Sequence, residues 1–190
     1  MIWHPQPPGL APLLLSALLL SAAPALAQAP GQAMGQAPAG KSALPDFSTF
    51  SVGAPNAGLR VITLPIETAS GLHRYRVEVA ETPEQQARGM MFRKSMARDS
   101  GMLFPMVPPR PAAFWMRNTY VSLDIIFLSP DERVLNIAAQ VPPLTDTTRP
   151  SAGVTGAVLE LKGGEAARIG LKPGDRVRWK AALGAPAGTG

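Results

Sequence analysis

From Leu59 onward the chain reads as short branched apolar runs, several of them alternating with polar residues, each cut off by glycine or proline. This punctuation leaves room for short strands and two short helices, and so for a mainly β fold, an antiparallel β-sandwich or barrel. Leu59–Leu64 and Leu72–Ala80 are clear strands, with Ser70-Gly71 turning between them. In the second, Tyr75, Val77 and Val79 share one face and Arg74, Arg76 and Glu78 the other, because side chains alternate along a strand. Further strands are predicted at Met102–Met106, Ala113–Arg117, Leu123–Leu128, Arg133–Ala138, Val154–Leu161 and Arg176–Lys180. In the last, Val177 and Trp179 point inward.

The two helices carry local signals. Thr82 can cap, Pro83 suits the first helical position, Gln85 completes a capping box and Gly89 ends the helix, which spans residues 83–88. Gly163-Gly164-Glu165 opens a second short helix that Gly170 closes. Pro108-Pro109-Arg110-Pro111 is a stiff loop, and Leu171-Lys172-Pro173-Gly174 places Pro and Gly in a type II turn. Asp175 accepts backbone hydrogen bonds at that turn.

Ahead of this part lies a different composition. Leu10–Ala23 is apolar but shorter than the ~20 residues a membrane span needs. Ala25-Leu26-Ala27 follows as a small-x-small cleavage signal, so residues 1–27 read as a signal peptide with Gln28 as the new N-terminus. Met1–Gly9 departs from the usual pattern in lacking Lys and Arg. Residues 28–58 are an Ala/Pro/Gly-rich segment with no hydrophobic period, expected to be a disordered linker. One β-rich domain over residues 59–182 and a flexible tail over 183–190 complete the organisation. A periplasmic or secreted location follows, with no membrane span after leader cleavage.

The chain has no cysteine, which excludes disulfides, thiolate nucleophiles and cysteine metal sites. Its net charge of +5 comes from scattered Lys and Arg rather than a basic run, so solubility is the preferred reading. No nucleic-acid partner is expected, since basic–aromatic platforms and glycine-rich phosphate loops are both missing. His73 is the single histidine after the leader, which makes a histidine metal site or a Ser-His-Asp triad improbable. Met90, Met91, Met96, Met102, Met106 and Met116 cluster, but adaptable core filler is preferred over a Cu(I) site. No metal and no cofactor are expected.

Residues 101–124 concentrate the polar chemistry. Two aromatics, a cation, an amide and a carboxylate sit in an otherwise apolar run, so the stretch is either a binding site or a buried polar clamp. Trp115 and Arg117 share a face opposite Phe114 and Met116, and with Asn118 they would make a stacking platform for a sugar or another planar ligand. The alternative is a strand buried on both sides, with Arg117 paired to Asp124 or Glu160. Asp124 sits on one face with Ile126 and Leu128, and its best side-chain donors are Arg117, Arg93 and Asn118. It reads either as a tuned acid or base or as a clamp, and the clamp is preferred because ion-pair networks perturb pKa values too. Asp124 and Glu160 are also candidates for a glycosidase pair, which needs about 5–9.5 Å between carboxyl groups.

The order of motifs closely resembles the bacterial and archaeal family called domain of unknown function 192. The pieces are Val79-Ala80-Glu81-Thr82-Pro83-Glu84 with Ala87-Arg88-Gly89-Met90-Met91-Phe92-Arg93, and Gly101-Met102-Leu103-Phe104. Phe114-Trp115-Met116-Arg117-Asn118-Thr119, Leu123-Asp124, Ala157-Val158-Leu159-Glu160-Leu161 and Gly170-Leu171-Lys172-Pro173-Gly174-Asp175 follow. The resemblance covers about residues 72–180 and implies a compact, mostly β fold, often behind a secretion signal, with no assigned reaction. Asp131-Glu132 stands where members commonly carry a glycine turn. The expected function is non-enzymatic: a module binding a small molecule, a glycan or an envelope protein through Trp115, Arg117, Asn118, Asp124 and Arg93. The alternative is a hydrolase of an envelope glycan using Asp124 and Glu160.

Overall fold

The computed structural model describes residues 53–184. The expected leader, most of the expected linker and the last residues of the tail lie outside them. Nine strands and three helices follow in the order β1 (Arg60–Thr68), β2 (Gly71–Val79), α1 (Pro83–Arg88), β3 (Ser100–Arg110), β4 (Ala113–Phe114), β5 (Leu123–Leu128), β6 (Val134–Val141), β7 (Arg149–Pro150), β8 (Thr155–Lys162), α2 (Glu165–Arg168), β9 (Arg176–Val177) and α3 (Trp179–Gly184). Strands make up 44% of the structure, so the fold is mainly β as expected, in the form of a curled mixed sheet that makes a half-barrel.

Seven strands form the main sheet in the order β6-β5-β8-β3-β2-β1-β9, and β4 pairs with β7 beside it. Every pairing is antiparallel except β2 with β3, which runs parallel. A parallel neighbour needs a crossover, and α1 with residues 89–99 supplies it. The curl brings the two ends of the sheet together at one corner. There Val134 N–H donates to Asp175 O, Gly174 N–H to Val134 O and Val177 N–H to Glu132 O, each at 2.9 Å.

The sheet is buried on both faces at β5 and β8, which therefore read as nearly continuous apolar runs. One face packs Leu64, Tyr75, Val77, Leu103, Ile126 and Leu159 under α2 and α3, with Trp179 and Ala182 among the covering residues. The other packs Met102, Phe104, Ile125, Phe127 and Val158 under the 90–96 and 112–121 segments, with Met90, Met106 and Met116 filling it. At Gly101 the strands close up so far that a Cβ would lie 2.8 Å from the Glu160 carbonyl oxygen.

Helix α1 forms from its local signals. Thr82 Oγ1 accepts the Gln85 N–H at 3.2 Å while Gln85 Oε1 accepts the Thr82 N–H at 3.0 Å, the reciprocal capping box. Asn56, near the end of the expected linker, donates its side-chain amide to Gln85 O and Gly89 O, so the chain just before β1 is tied to the end of α1.

Several elements differ from expectation, and the predicted strand Ala113–Arg117 is confined to Ala113–Phe114. The predicted strand Arg176–Lys180 is only two residues long, and α3 takes over at Trp179. Val177 and Trp179 do point inward, but Lys180-Ala181-Ala182-Leu183 are good helix formers, and Glu132 Oε1 accepts the Lys180 N–H at 2.9 Å. β3 extends to Arg110 through the predicted proline loop, with its register to β8 shifting between Pro105 and Arg110. At the β5–β6 turn Glu132 takes the left-handed conformation that glycine favours, φ 67°.

Candidate functional site

Three carboxylates are buried among the described residues: Asp124, Glu160 and Glu165. Their surroundings decide what each does. Glu165 Oε1 accepts the Tyr75 hydroxyl at 2.7 Å and Arg168 Nε at 2.9 Å. Burial raises its pKa, but the Arg168 and Tyr75 bonds outweigh this and hold it below the ordinary glutamate value.

Asp124 is fully buried and accepts three backbone N–H groups: Gln140 at 2.7 Å and Gly164 at 3.0 Å on Oδ1, and Ala166 at 2.7 Å on Oδ2. Gly164 offers no side-chain cap to α2, so the carboxylate of Asp124 caps that helix from β5. The expected donors are therefore corrected. Arg117 pairs with Asp146 at 3.0 Å, Arg93 pairs with Glu78 at 2.5 Å, and the Asn118 amide approaches Met91 sulfur at 4.0 Å.

Glu160 lies at the centre of the sheet, opposite Met102 of β3 and Ile125 of β5. Asp124 adjoins Ile125 in the strand, so the two carboxylates point to opposite faces of one sheet. This corrects the expected glycosidase pair: no single cleft holds both. The same register places Glu78, Met102 and Glu160 in one row across β2, β3 and β8.

Above Glu160 opens a cavity of about 730 Å³, within the size range of small-molecule sites. Its lining runs from α1 through Gly89–Phe92, β3 and the 110–119 segment to Glu160. Met90, Phe104, Met106 and Glu160 are its buried depth, while Arg110, Trp115, Arg117 and Asn118 are its exposed mouth. Phe104 and Phe114 stack edge to face with centroids 5.0 Å apart, and Phe114 meets Phe127 in the same way at 6.1 Å. Trp115 is 43% exposed and carries the Arg117 guanidinium 4.2 Å from its ring centroid. Asn118 takes a left-handed turn, φ 54°, and its carbonyl accepts the Phe92 N–H at 2.8 Å, joining the two walls of the mouth.

The side chain of Glu160 is only 4% exposed, and its Oε2 has no hydrogen-bond partner. Burial pushes its pKa up to about 8, with the Arg93 guanidinium pulling the other way. Arg93 spends its terminal nitrogens on Glu78 and the Asn56 carbonyl, and its Nε is itself buried without a partner.

Of the expected site residues, the structure brings Trp115, Arg117, Asn118 and Glu160 to one cavity. Arg93 lies in an adjoining shallow pocket with Glu78, and Asp124 is on the other face. Sequence reasoning missed Phe92, Phe104, Phe114 and Met90 as lining. The available signal was Glu160 itself, a lone carboxylate in the apolar run Val158-Leu159-Glu160-Leu161. Among the described residues no helix is long and apolar enough to cross a membrane, and no group of His, Asp and Glu is arranged to hold a metal ion.

The fold and cavity define a small curled-sheet domain with an aromatic and methionine-lined pocket over a buried acid. The family model for domain of unknown function 192, described as an uncharacterised ACR, matches residues 65–179, and the chain belongs to that family. It is similar to the crystal structure of a protein of unknown function from Novosphingobium aromaticivorans, with 49% identity, 66% of this chain and 90% of that chain covered, and a TM-score of 0.64. It is also similar to a structure titled a putative transcription regulator from Sinorhizobium meliloti, with 36% identity, 65% and 96% coverage, and a TM-score of 0.62. No curated protein matches it.

Proposed function

We propose that this chain is exported and that its domain binds a small, largely apolar molecule in the cavity above Glu160, without transforming it. The observation that carries this reading is the cavity of about 730 Å³, apolar at depth and ending on a buried acid with an unused oxygen. The apolar leader with its Ala25-Leu26-Ala27 signal supports export. Trp115 is the anchor at the mouth, held in place by Arg117, which is itself fixed by Asp146. Asn118 shapes the entrance through its backbone turn.

The test is thermal unfolding of the protein recovered from the periplasm or medium of a bacterial host. Apolar alcohols, amines, fatty acids, aromatic alcohols and peptidoglycan fragments are the additives. N-terminal sequencing of the same sample should begin at Gln28; retention of Met1 in the cytosol counts against export. A binder at a hundred times its Kd adds about 2.7 kcal/mol and raises the midpoint by several degrees. Trp115→Ala should weaken that binder about tenfold through lost stacking. A midpoint unmoved by every additive, or a shift insensitive to Trp115→Ala, would count against the cavity as the binding site.

A further inference from the structure

The depth of the cavity is short of donors. Gln86 Nε2 already donates to Ala80 O at 3.1 Å and Pro105 O at 2.9 Å. Thr119 Oγ1 already donates to the Arg117 carbonyl at 3.2 Å. Met90, Phe104 and Met106 have no side-chain donor. Arg93, the cation that acts on Glu160, spends its terminal nitrogens on Glu78 and the Asn56 carbonyl, and its unpartnered Nε belongs to the adjoining pocket rather than to this cavity. Asp124 accepts three backbone N–H groups and Glu165 accepts from the side chains of Tyr75 and Arg168, so the unpartnered oxygen of Glu160 stands apart from the other buried carboxylates. No side chain in the depth of the cavity donates to this oxygen, and a ligand seated there can bring the donor that does.

The remaining surfaces of the depth also favour positive charge. Phe104 and Phe114 line it, and an aromatic ring attracts a cation over its face through the ring quadrupole. The thioethers of Met90 and Met106 are weak acceptors. The mouth has the opposite character, with the guanidinium group of Arg110 exposed there and that of Arg117 paired to Asp146. A ligand with one cationic end inward fits this gradient, and a second cation at the mouth opposes it.

We infer that the cavity selects an amine, with a single primary ammonium seated on Glu160 and an apolar body against Phe104, Phe114, Met90 and Met106. This rests on the binding reading above and names its ligand class. Near neutral pH the empty site holds Glu160 mainly as the neutral acid, because burial raises its pKa to about 8. Seating an ammonium drives that proton off to solvent, so binding releases a proton. Affinity then rises with pH up to the glutamate's own pKa. The other charged side chains lining or facing the site are the guanidinium groups of Arg88, Arg93, Arg110 and Arg117, with Glu78 paired to Arg93 in the same row as Glu160. His73 shares the face of Tyr75, opposite Glu160, and takes no part.

Isothermal titration of the exported protein with hexylamine, hexanol and 1,6-diaminohexane, at pH 6 and pH 8 and in two buffers of different ionisation enthalpy, tests this. Hexylamine should bind roughly 50-fold tighter at pH 8 than at pH 6, following the acid's titration, and release close to one proton at pH 6. Hexanol should show no pH dependence, and the diamine should bind more weakly than hexylamine. Glu160→Gln should erase the preference for hexylamine while keeping hexanol binding. Hexanol binding as tightly as hexylamine, with a flat pH profile for both, would overturn the amine assignment and leave the binding reading intact. Failure of all three probes together with the wider set of additives would overturn both.

Discussion

Replacing Glu160 by glutamine should stabilise the folded domain at pH 7 by about 3 kcal/mol and leave its stability at pH 4 nearly unchanged. The unfolded chain ionises Glu160 near its ordinary value of 4.5, whereas the folded one holds the proton until about pH 8. Between those values the native state binds the extra proton, so stability falls as pH rises, by about 1.4 kcal/mol per unit from this group. Below pH 4.5 both states are protonated and the penalty vanishes. Above pH 8 both are ionised and the penalty is full. Glutamine has no proton to lose, so its stability curve lacks this slope. Urea unfolding at pH 4, 7 and 8.5 reads the effect directly, and the thermal midpoint at pH 7 should rise by roughly 10 °C. Equal stability of the two proteins at all three pH values would mean that Glu160 has a donor in solution.

The expected gain from removing Glu160 bears on what the residue is for. A fold selected for stability alone has no reason to keep an unpaired acid in a strand flanked by Met102 and Ile125. The opposite face of the same sheet shows how this chain treats carboxylates that only hold structure: Glu165 has Tyr75 and Arg168, and Asp124 has three amides. Glu160 is the exception, and it is the one that faces the cavity. A group that costs stability and opens onto a pocket is the usual signature of a site that a ligand completes.

What the sequence reveals of this fold follows the range of each signal. Helix α1 is legible because Thr82, Pro83, Gln85 and Gly89 act on one another within a few residues. β5 and β8 are legible because a strand buried on both faces leaves a continuous apolar run. The parallel pairing of β2 with β3 is not, since it depends on how the crossover packs. Nor is the face of Glu160 relative to Asp124, which turns on the pairing of Ile125 with Glu160, a matter of one residue in register. The mouth is legible in part: Phe114 and Met116 point in while Trp115 and Arg117 point out, although only Ala113–Phe114 is a strand. Its depth is assembled from segments as far apart as Gln86 and Glu160, and composition cannot align them.

The second large effect belongs to Asp124. Asp124→Leu should cost about 3 kcal/mol, because it removes the acceptor of three backbone N–H groups, that of Ala166 fully buried and those of Gln140 and Gly164 part-buried, and each unsatisfied buried donor costs about 1–3 kcal/mol. Asp124→Asn keeps one acceptor oxygen, which can still serve Gln140 and Gly164, while its amide faces the Ala166 N–H; about 2 kcal/mol is the expected loss. Denaturant midpoints separate the two variants, and equal losses would contradict the three-amide clamp. The same variants separate the clamp from a binding role. Asp124 ties β5 to β6 and to the start of α2 on the face away from the cavity, so Asp124→Asn, assayed where it is still folded, should bind amine ligands within about twofold of the parent protein. A large loss of affinity at unchanged fold would show that the sheet transmits the state of one face to the other. Within a packed sheet that requires a shift of β5 against β8, and the Ile125–Glu160 pair is where such a shift would reach the cavity.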